Sequence, residues 1–248
     1  MAEAILKSLE RHDMLLISAA GRHRILETLQ SKSAPLERQL LRETLLLPPE
    51  GHGVPGIVRR RDGKRRGIPV GFPHPASAEG GRFKAAAHVL EHEVERVISP
   101  YELATSSLRP HHLDCAPREA LVEIMETCGS LDGTIGLIGS AAVELLTGVP
   151  CLTPASDLDF LVRGRNLAES RERYELLLSI GTKKRVPIDA EVSLPNGYGV
   201  KAAELFSASG TVLGKSLNDV RLLERAEVER AFTKIARFTT RKHPNKET

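Results

Sequence analysis

Tryptophan is absent from this chain of 248 residues, and Phe and Tyr bring the aromatic content to only 4%. Recognition of nucleic acid by base stacking is therefore poorly supplied. Cysteine is scarce: Cys115, Cys128 and Cys151 are odd in number and far apart, which argues against a disulfide framework. There is no CxxC pair, and zinc is disfavoured. Neither His111, His112 and Cys115 nor the HxxxH pair His88 and His92 supplies a readable full ligand set. No stretch approaches the roughly 18 uncharged apolar residues that a membrane helix needs. The N-terminus reaches Glu10, Arg11 and Asp13 too soon to hold a signal-peptide core. A soluble cytoplasmic protein is expected. Strong charge imbalance is also missing, because 35 Lys and Arg against 32 Asp and Glu give a net charge of +3. That falls short of a dedicated DNA-binding domain, so an anionic partner must be met by local clusters.

What is present is a globular balance of 41% hydrophobic and 27% charged residues. The length allows one large domain or two modest ones. We expect an N-terminal, β-rich lobe over residues 1–105 and an α/β domain with a mixed sheet over 106–248. In the first part, Met14 to Ile17 reads as a strand and Arg22 to Thr44 as helix interrupted near Pro35. Asp62-Gly63, flanked by extended pieces, is a strong signal for a tight β-hairpin. Arg59, Arg60, Arg61, Lys64, Arg65 and Arg66 around it form the densest positive patch, either a solvated hairpin or an anion-binding surface. Residues Phe83 to Ile98 read as helical.

Beyond Pro110 the pattern sharpens. Leu121, Ile124, Met125 and Cys128 recur at helical spacing in a helix over 116–128. Then follow a short strand TIGLI, the helix AAVELLTG after Gly139-Ser140, and the strand DLDFLV. A helix that Asn166 can cap runs to about Ser179, followed by the strand RVPIDAEVSL and an Asn196-Gly197 turn. The alternation of helices and strands is that of an α/β fold.

Three pieces of this half fit one chemical design. Gly139-Ser140 lies between strand and helix, where glycine admits a ligand close to the backbone and free N–H groups attract phosphate. Asp157 follows Ser140 by seventeen positions, and alternation places it on the same strand face as Asp159. Two adjacent carboxylates repel unless a divalent cation sits between them. Asp189 and Glu191, on the IDAEV strand, offer a third carboxylate; Asp189 is the choice, with Glu191 left open. Lys215, in a strand-like stretch, is either a phosphate contact or an ordinary edge-strand charge.

The order hG[GS] … DhDh … h[DE]h resembles the polymerase β-like nucleotidyltransferase superfamily. The longer run GSAAVELLTGVPCLTPASDLDFLV is similar to the phosphoribosyl-dephospho-CoA transferases, the holo-acyl-carrier-protein synthases of malonate decarboxylase. They carry a GS-xx-[aromatic]-x-x-LTG-[LVI]-P-Y-[LI] … SDLDLL pattern. The similarity extends through RHDMLLISAA, the IPVG region, IDAEV and VLGKS, roughly Arg11 to Arg225. Val143 stands where the family usually has Trp, and Cys151 where Tyr is common. The resemblance implies transfer of a phosphoribosyl-dephospho-CoA unit from triphosphoribosyl-dephospho-CoA to a serine of the apo acyl-carrier subunit, with release of pyrophosphate. It implies Mg²⁺ held by Asp157, Asp159 and Asp189, with Gly139, Ser140 and Lys215 on the phosphates. A nucleotidyltransferase with another acceptor is the first alternative, and a non-catalytic interaction protein on the same scaffold the second. The intact carboxylate set speaks against the latter, and the lack of a GxSxG elbow speaks against a serine hydrolase.

Overall fold

Two sheets form on either side of residue 100, and side-chain patterning explains each. The structure, a computed structural model, describes residues 9–31, 33–46, 53–61, 63, 66–78, 81–106, 108–110, 112–128 and 133–240. The first sheet contains β1 (Met14–Ile17), β2 (Gly56–Val58), β3 (Ile68–Ala78), β4 (Gly81–Val89) and β5 (Val94–Ile98). Their order is β4-β3-β2-β1-β5, and every pairing is antiparallel. Helices α1 (Ala19–Gln30) and α2 (Pro35–Leu46) cover it, separated at Pro35 as the sequence predicts. Ile25 and Leu41 pack there with Leu15, Ile17, Val70 and Phe72. Arg22 is fully buried and donates to the carbonyls of Ile17, Leu45 and Val54, tying α1 to the end of α2. Burial pulls its pKa down to about 10.

Residues 83–98 are not a helix. They form most of β4, a short 3₁₀ turn at Glu91–Glu93, and β5. Alanine and glutamate in this stretch favour a helix locally, but Ala85 and Val89 point into the core while Lys84 and Ala86 point out. Pairing of Ala85 with Phe72 and Val89 with Ile68 overrides the local preference. His88 and His92 therefore do not share a helix face. The two extended pieces on either side of Asp62-Gly63 do pair antiparallel, Val58 with Val70, as the hairpin expectation requires. Asp62, Lys64 and Arg65 of that expectation lie outside the described residues, as do His111 and the tail 241–248.

The second sheet contains β6 (Ile135–Leu137), β7 (Leu158–Val162), β8 (Ile188–Ser193), β9 (Gly199–Lys201), β10 (Thr211–Lys215) and β11 (Val220–Glu224). Their order is β11-β10-β9-β8-β7-β6, with β7 and β8 parallel and the other pairings antiparallel. The fold is therefore α/β with a mixed sheet. Helices α3 (Pro100–Ala104), α4 (Ala116–Cys128), α5 (Gly139–Thr147), α6 (Leu167–Lys184), α7 (Ala202–Leu205) and α8 (Arg225–Thr240) complete it. Leu121, Ile124 and Met125 of α4 enter the core, as their spacing predicts; the Cys128 side chain lies outside the described residues. Asn166 caps α6 by accepting from the Glu169 N–H at 2.9 Å. The helix outruns its expected end at Ser179 because Ile180 is still buried, and Arg185 then closes it in a left-handed conformation.

On β7, Leu158, Phe160 and Val162 face this core, joined by Ala190 and Val192 of β8. Each large apolar side chain buried this way contributes about 1.5–3 kcal/mol. Alternation then turns Asp159, Asp189 and Glu191 to the opposite face. Met14 and Ile98 of the first sheet belong to the same core, so the two sheets share packing. Among the described residues, no helix is long and apolar enough to cross a membrane.

Candidate active site

The turn from β6 into α5 is built around Gly139, whose φ is +69°. A Cβ at this position would lie 2.1 Å from Oδ2 of Asp159, so the carboxylate rests on bare backbone that only glycine provides. The Ile138 N–H donates to the Asp159 carbonyl at 3.1 Å and fastens the turn to β7. Asp157, exposed just ahead of β7, and half-buried Asp159 line one cavity of about 380 Å³ with Gly139 and Ser140. The facing wall comes from the first sheet and includes Arg59, Phe72, His74 and Lys84. Two carboxylates thus confront two cations across a cleft between the sheets. Neither Arg59 nor Lys84 has an ion pair among the described residues. The Arg59 stem runs over Gly71, where an added Cβ would be 3.1 Å from Cδ.

The other expected residues lie elsewhere. Asp189 is the direct register partner of Asp159 on the parallel neighbour β8. It is half-exposed, accepts from Lys201 Nζ at 3.0 Å, and does not line the cavity. Glu191 turns to the N-terminal segment, with Arg11 Nη1 at 3.2 Å and His12 Nε2 at 3.4 Å. Burial pushes the Glu191 carboxyl up, but the His12 contact and the Arg11 charge outweigh it and bring its pKa to about 2. Lys215 sits in β10; its carbonyl accepts from Arg11, and its residue lines cavities apart from the carboxylate pair. Among the described residues no group of three or more His, Cys, Asp or Glu stands close enough to hold a metal. The structure brings together Asp157, Asp159, Gly139 and Ser140, and leaves Asp189 beside Lys201. An all-oxygen pair of carboxylates suits a hard divalent cation such as Mg²⁺, which commonly uses one or two protein carboxylates and completes its shell with substrate phosphates.

Sequence reasoning missed Lys84 and His74, because no local pattern joins the first sheet to the DLD strand. It also missed a buried ion pair. Arg118 of α4 donates to Glu144 of α5 through Nε at 2.6 Å and Nη2 at 3.0 Å. Glu144 also accepts from the N–H groups of Cys151 at 2.7 Å and Leu152 at 2.8 Å. Arg118 Nη2 reaches the Leu152 carbonyl at 3.0 Å. Burial opposes the charge on Glu144, but Arg118 and both N–H groups win and hold its pKa below the ordinary value. This clamp fixes the insertion that leads into Asp157. Val143 and Cys151, at its two ends, pack with Val54 and line the cavity.

A pH effect arises at Asp13, which is 7% exposed. Burial raises its pKa to about 6 from 3.8, only partly offset by the Glu10 N–H. The native state thus holds this proton more tightly than the unfolded chain, and its stabilising effect is lost as pH rises from about 4 through 6. Asp13→Asn should therefore be more stable than the parent above pH 6, by about 1–3 kcal/mol, with little difference at pH 4. Denaturant midpoints at both pH values check this. A variant less stable at pH 7.5 would show the charge to be favourable.

The chain matches two family models that meet near residue 100. The Phosphoribosyl-dephospho-CoA transferase MdcG N-terminal domain covers residues 10–100, and the Phosphoribosyl-dephospho-CoA transferase MdcG C-terminal domain covers 102–226. The phosphoribosyl-dephospho-CoA transferase of Bradyrhizobium diazoefficiens is 28% identical over 223 residues, spanning 87% of this chain and 90% of that protein. Its namesake in Xanthomonas euvesicatoria is 28% identical over 176 residues, 70% of this chain and 80% of that protein. The Klebsiella pneumoniae protein of the same name is 26% identical over 171 residues, covering 68% and 79%. No solved structure matches the chain. A mixed α/β fold with a carboxylate-and-cation cleft, in this company, is a transferase. The chain belongs to the phosphoribosyl-dephospho-CoA transferase family.

Proposed function

We propose that this chain transfers the phosphoribosyl-dephospho-CoA group from triphosphoribosyl-dephospho-CoA to a serine of the apo acyl-carrier subunit of malonate decarboxylase. The observation that carries the reading is the shared cavity, in which Asp157 and Asp159 face Arg59 and Lys84 across the cleft. In the reaction, the serine oxygen bonds to the phosphorus nearest the ribose, the bond from that phosphorus to the bridging oxygen breaks, pyrophosphate leaves with that electron pair, and the serine proton passes to water or to the departing pyrophosphate. Asp157 and Asp159, as in polymerase β-like nucleotidyltransferases, would hold Mg²⁺, with Asp189 the third ligand once released from Lys201. Held there, such an ion would supply positive charge to the triphosphate and would ease deprotonation of the serine hydroxyl. Ser140 and the N–H groups at the start of α5 bind the outer phosphates, and Arg59 and Lys84 balance the charge that develops on the leaving group. The site lies between the packed sheets, and we place the enzyme in the cytoplasm together with its carrier.

Pyrophosphate release tests this directly. Mixing the protein with donor, apo carrier and Mg²⁺ should release one pyrophosphate per carrier, and omission of the carrier or addition of EDTA should stop it. Release with ATP, CTP or UTP but not with the triphosphoribosyl donor would favour another nucleotidyltransferase of this fold.

A further inference from the structure

A second cavity, also about 380 Å³, adjoins the carboxylate cavity and shares Ile57 and Arg59 with it. Among the described residues its lining contains Arg11, His12, Arg59, Arg60 and Lys215 and no Asp or Glu. Arg11 is balanced by Glu191 outside that lining. Arg59, Arg60 and Lys215 have no ion pair among the described residues. Three uncompensated cations around one hollow repel one another and create a local positive potential that an anion relieves. The backbone fixes their placement: Arg59 N–H donates to the Pro69 carbonyl at 2.9 Å and Arg61 N–H to the Leu217 carbonyl at 2.7 Å. Arg60 is thus carried on a strand end pinned to both sheets, opposite the end of β10.

Size gives the second reason. Small-molecule sites of roughly 300–1,000 Å³ enclose most of a drug-sized ligand. A cavity of about 380 Å³ takes the triphosphate and ribose of the donor but leaves its adenosine, internal diphosphate and pantetheine arm outside. We propose that the cavity of Arg11, Arg60 and Lys215 is an anion subsite for the internal diphosphate of the dephospho-CoA moiety, with Arg59 standing between the two phosphate groups of one donor. The inference rests on the transferase reading and deepens it, placing the reactive end at the carboxylates and the nucleotide end between the β2 exit and β10. It also explains why Lys215 lies away from Asp157 and Asp159.

The test is equilibrium binding of dephospho-CoA itself, which lacks the triphosphoribosyl group, to the full chain by calorimetry. Arg60→Ala and Lys215→Ala should each weaken binding about tenfold, as expected for a lost charge-assisted phosphate contact. Asp157→Asn should bind within about twofold of the parent, since the carboxylates belong to the other cavity. The difference should shrink at high salt. No binding to the parent, or equal binding to all variants, overturns the subsite. Inorganic pyrophosphate binding more tightly than dephospho-CoA, with the same sensitivity to both variants, would assign the cations to the leaving group. Selective loss of apo-carrier binding would assign them to the acidic partner. Variant-sensitive dephospho-CoA binding without any transfer to the carrier would keep the subsite and reject the reaction.

Discussion

Asp159→Asn is expected to lower transfer to the carrier by at least about a thousandfold while leaving the thermal midpoint within a few degrees of the parent. The reason is charge. Asp159 is one of two carboxylates on a cavity wall whose opposite side carries Arg59 and Lys84, and a neutral amide oxygen holds a hard divalent ion more weakly and cannot offset its charge. Loss of a group that acts on transition-state charge costs about 3–4 kcal/mol per major contact, and loss of a metal costs more. Asp157→Asn should behave alike. Gly139→Ala should reach a similar loss by geometry, since its Cβ would occupy space 2.1 Å from Asp159 Oδ2 and its φ of +69° disfavours any side chain. Single-turnover rates at saturating donor separate these effects from weaker binding. A carboxylate variant that keeps near-normal turnover would remove the metal-assisted mechanism.

Arg118→Ala is expected to cost about 3–5 kcal/mol of stability, the usual result of leaving one partner of a buried ion pair behind. Glu144 is only 5% exposed and Arg118 6%. Truncation would strand a carboxylate that can keep the N–H groups of Cys151 and Leu152 but loses its counter-charge. Because the same pair anchors the segment before Asp157, transfer should fall together with stability. Arg118→Lys should recover less than half of the stability, since one ammonium cannot replace a fork that contacts Glu144 twice and Leu152 once. Urea titration followed by far-UV circular dichroism measures this. A loss under about 1 kcal/mol would mean that water reaches the pair and that the clamp is dispensable.

How much of this was legible in the sequence depends on whether the signal was local. The strand DLDFLV showed its two faces by simple alternation, and Gly139 announced its turn because no other residue tolerates the Asp159 contact. The helix over 116–128 followed from apolar spacing alone. Residues 83–98 failed because alanines and glutamates favour a helix when taken alone, whereas the pairing of Ala85 with Phe72 is a long-range fact. Lys84 was hidden by that same misreading, and Arg59 showed its charge but not its target. Glu144 gave a faint hint, as the one charged residue within AAVELLTG. Its partner Arg118, distant in sequence, gave none. Asp189 and Glu191 were indistinguishable by alternation; only the approach of Arg11 and His12 separates Glu191 from the carboxylate beside Asp159.

The most direct measurement is the intact mass of purified apo acyl-carrier subunit after incubation with this protein, Mg²⁺ and triphosphoribosyl-dephospho-CoA. The predicted result is a gain equal to one phosphoribosyl-dephospho-CoA group on a single serine, abolished by EDTA and by Asp159→Asn. An unchanged carrier mass, with a folded protein and intact donor present, would contradict the proposed reaction.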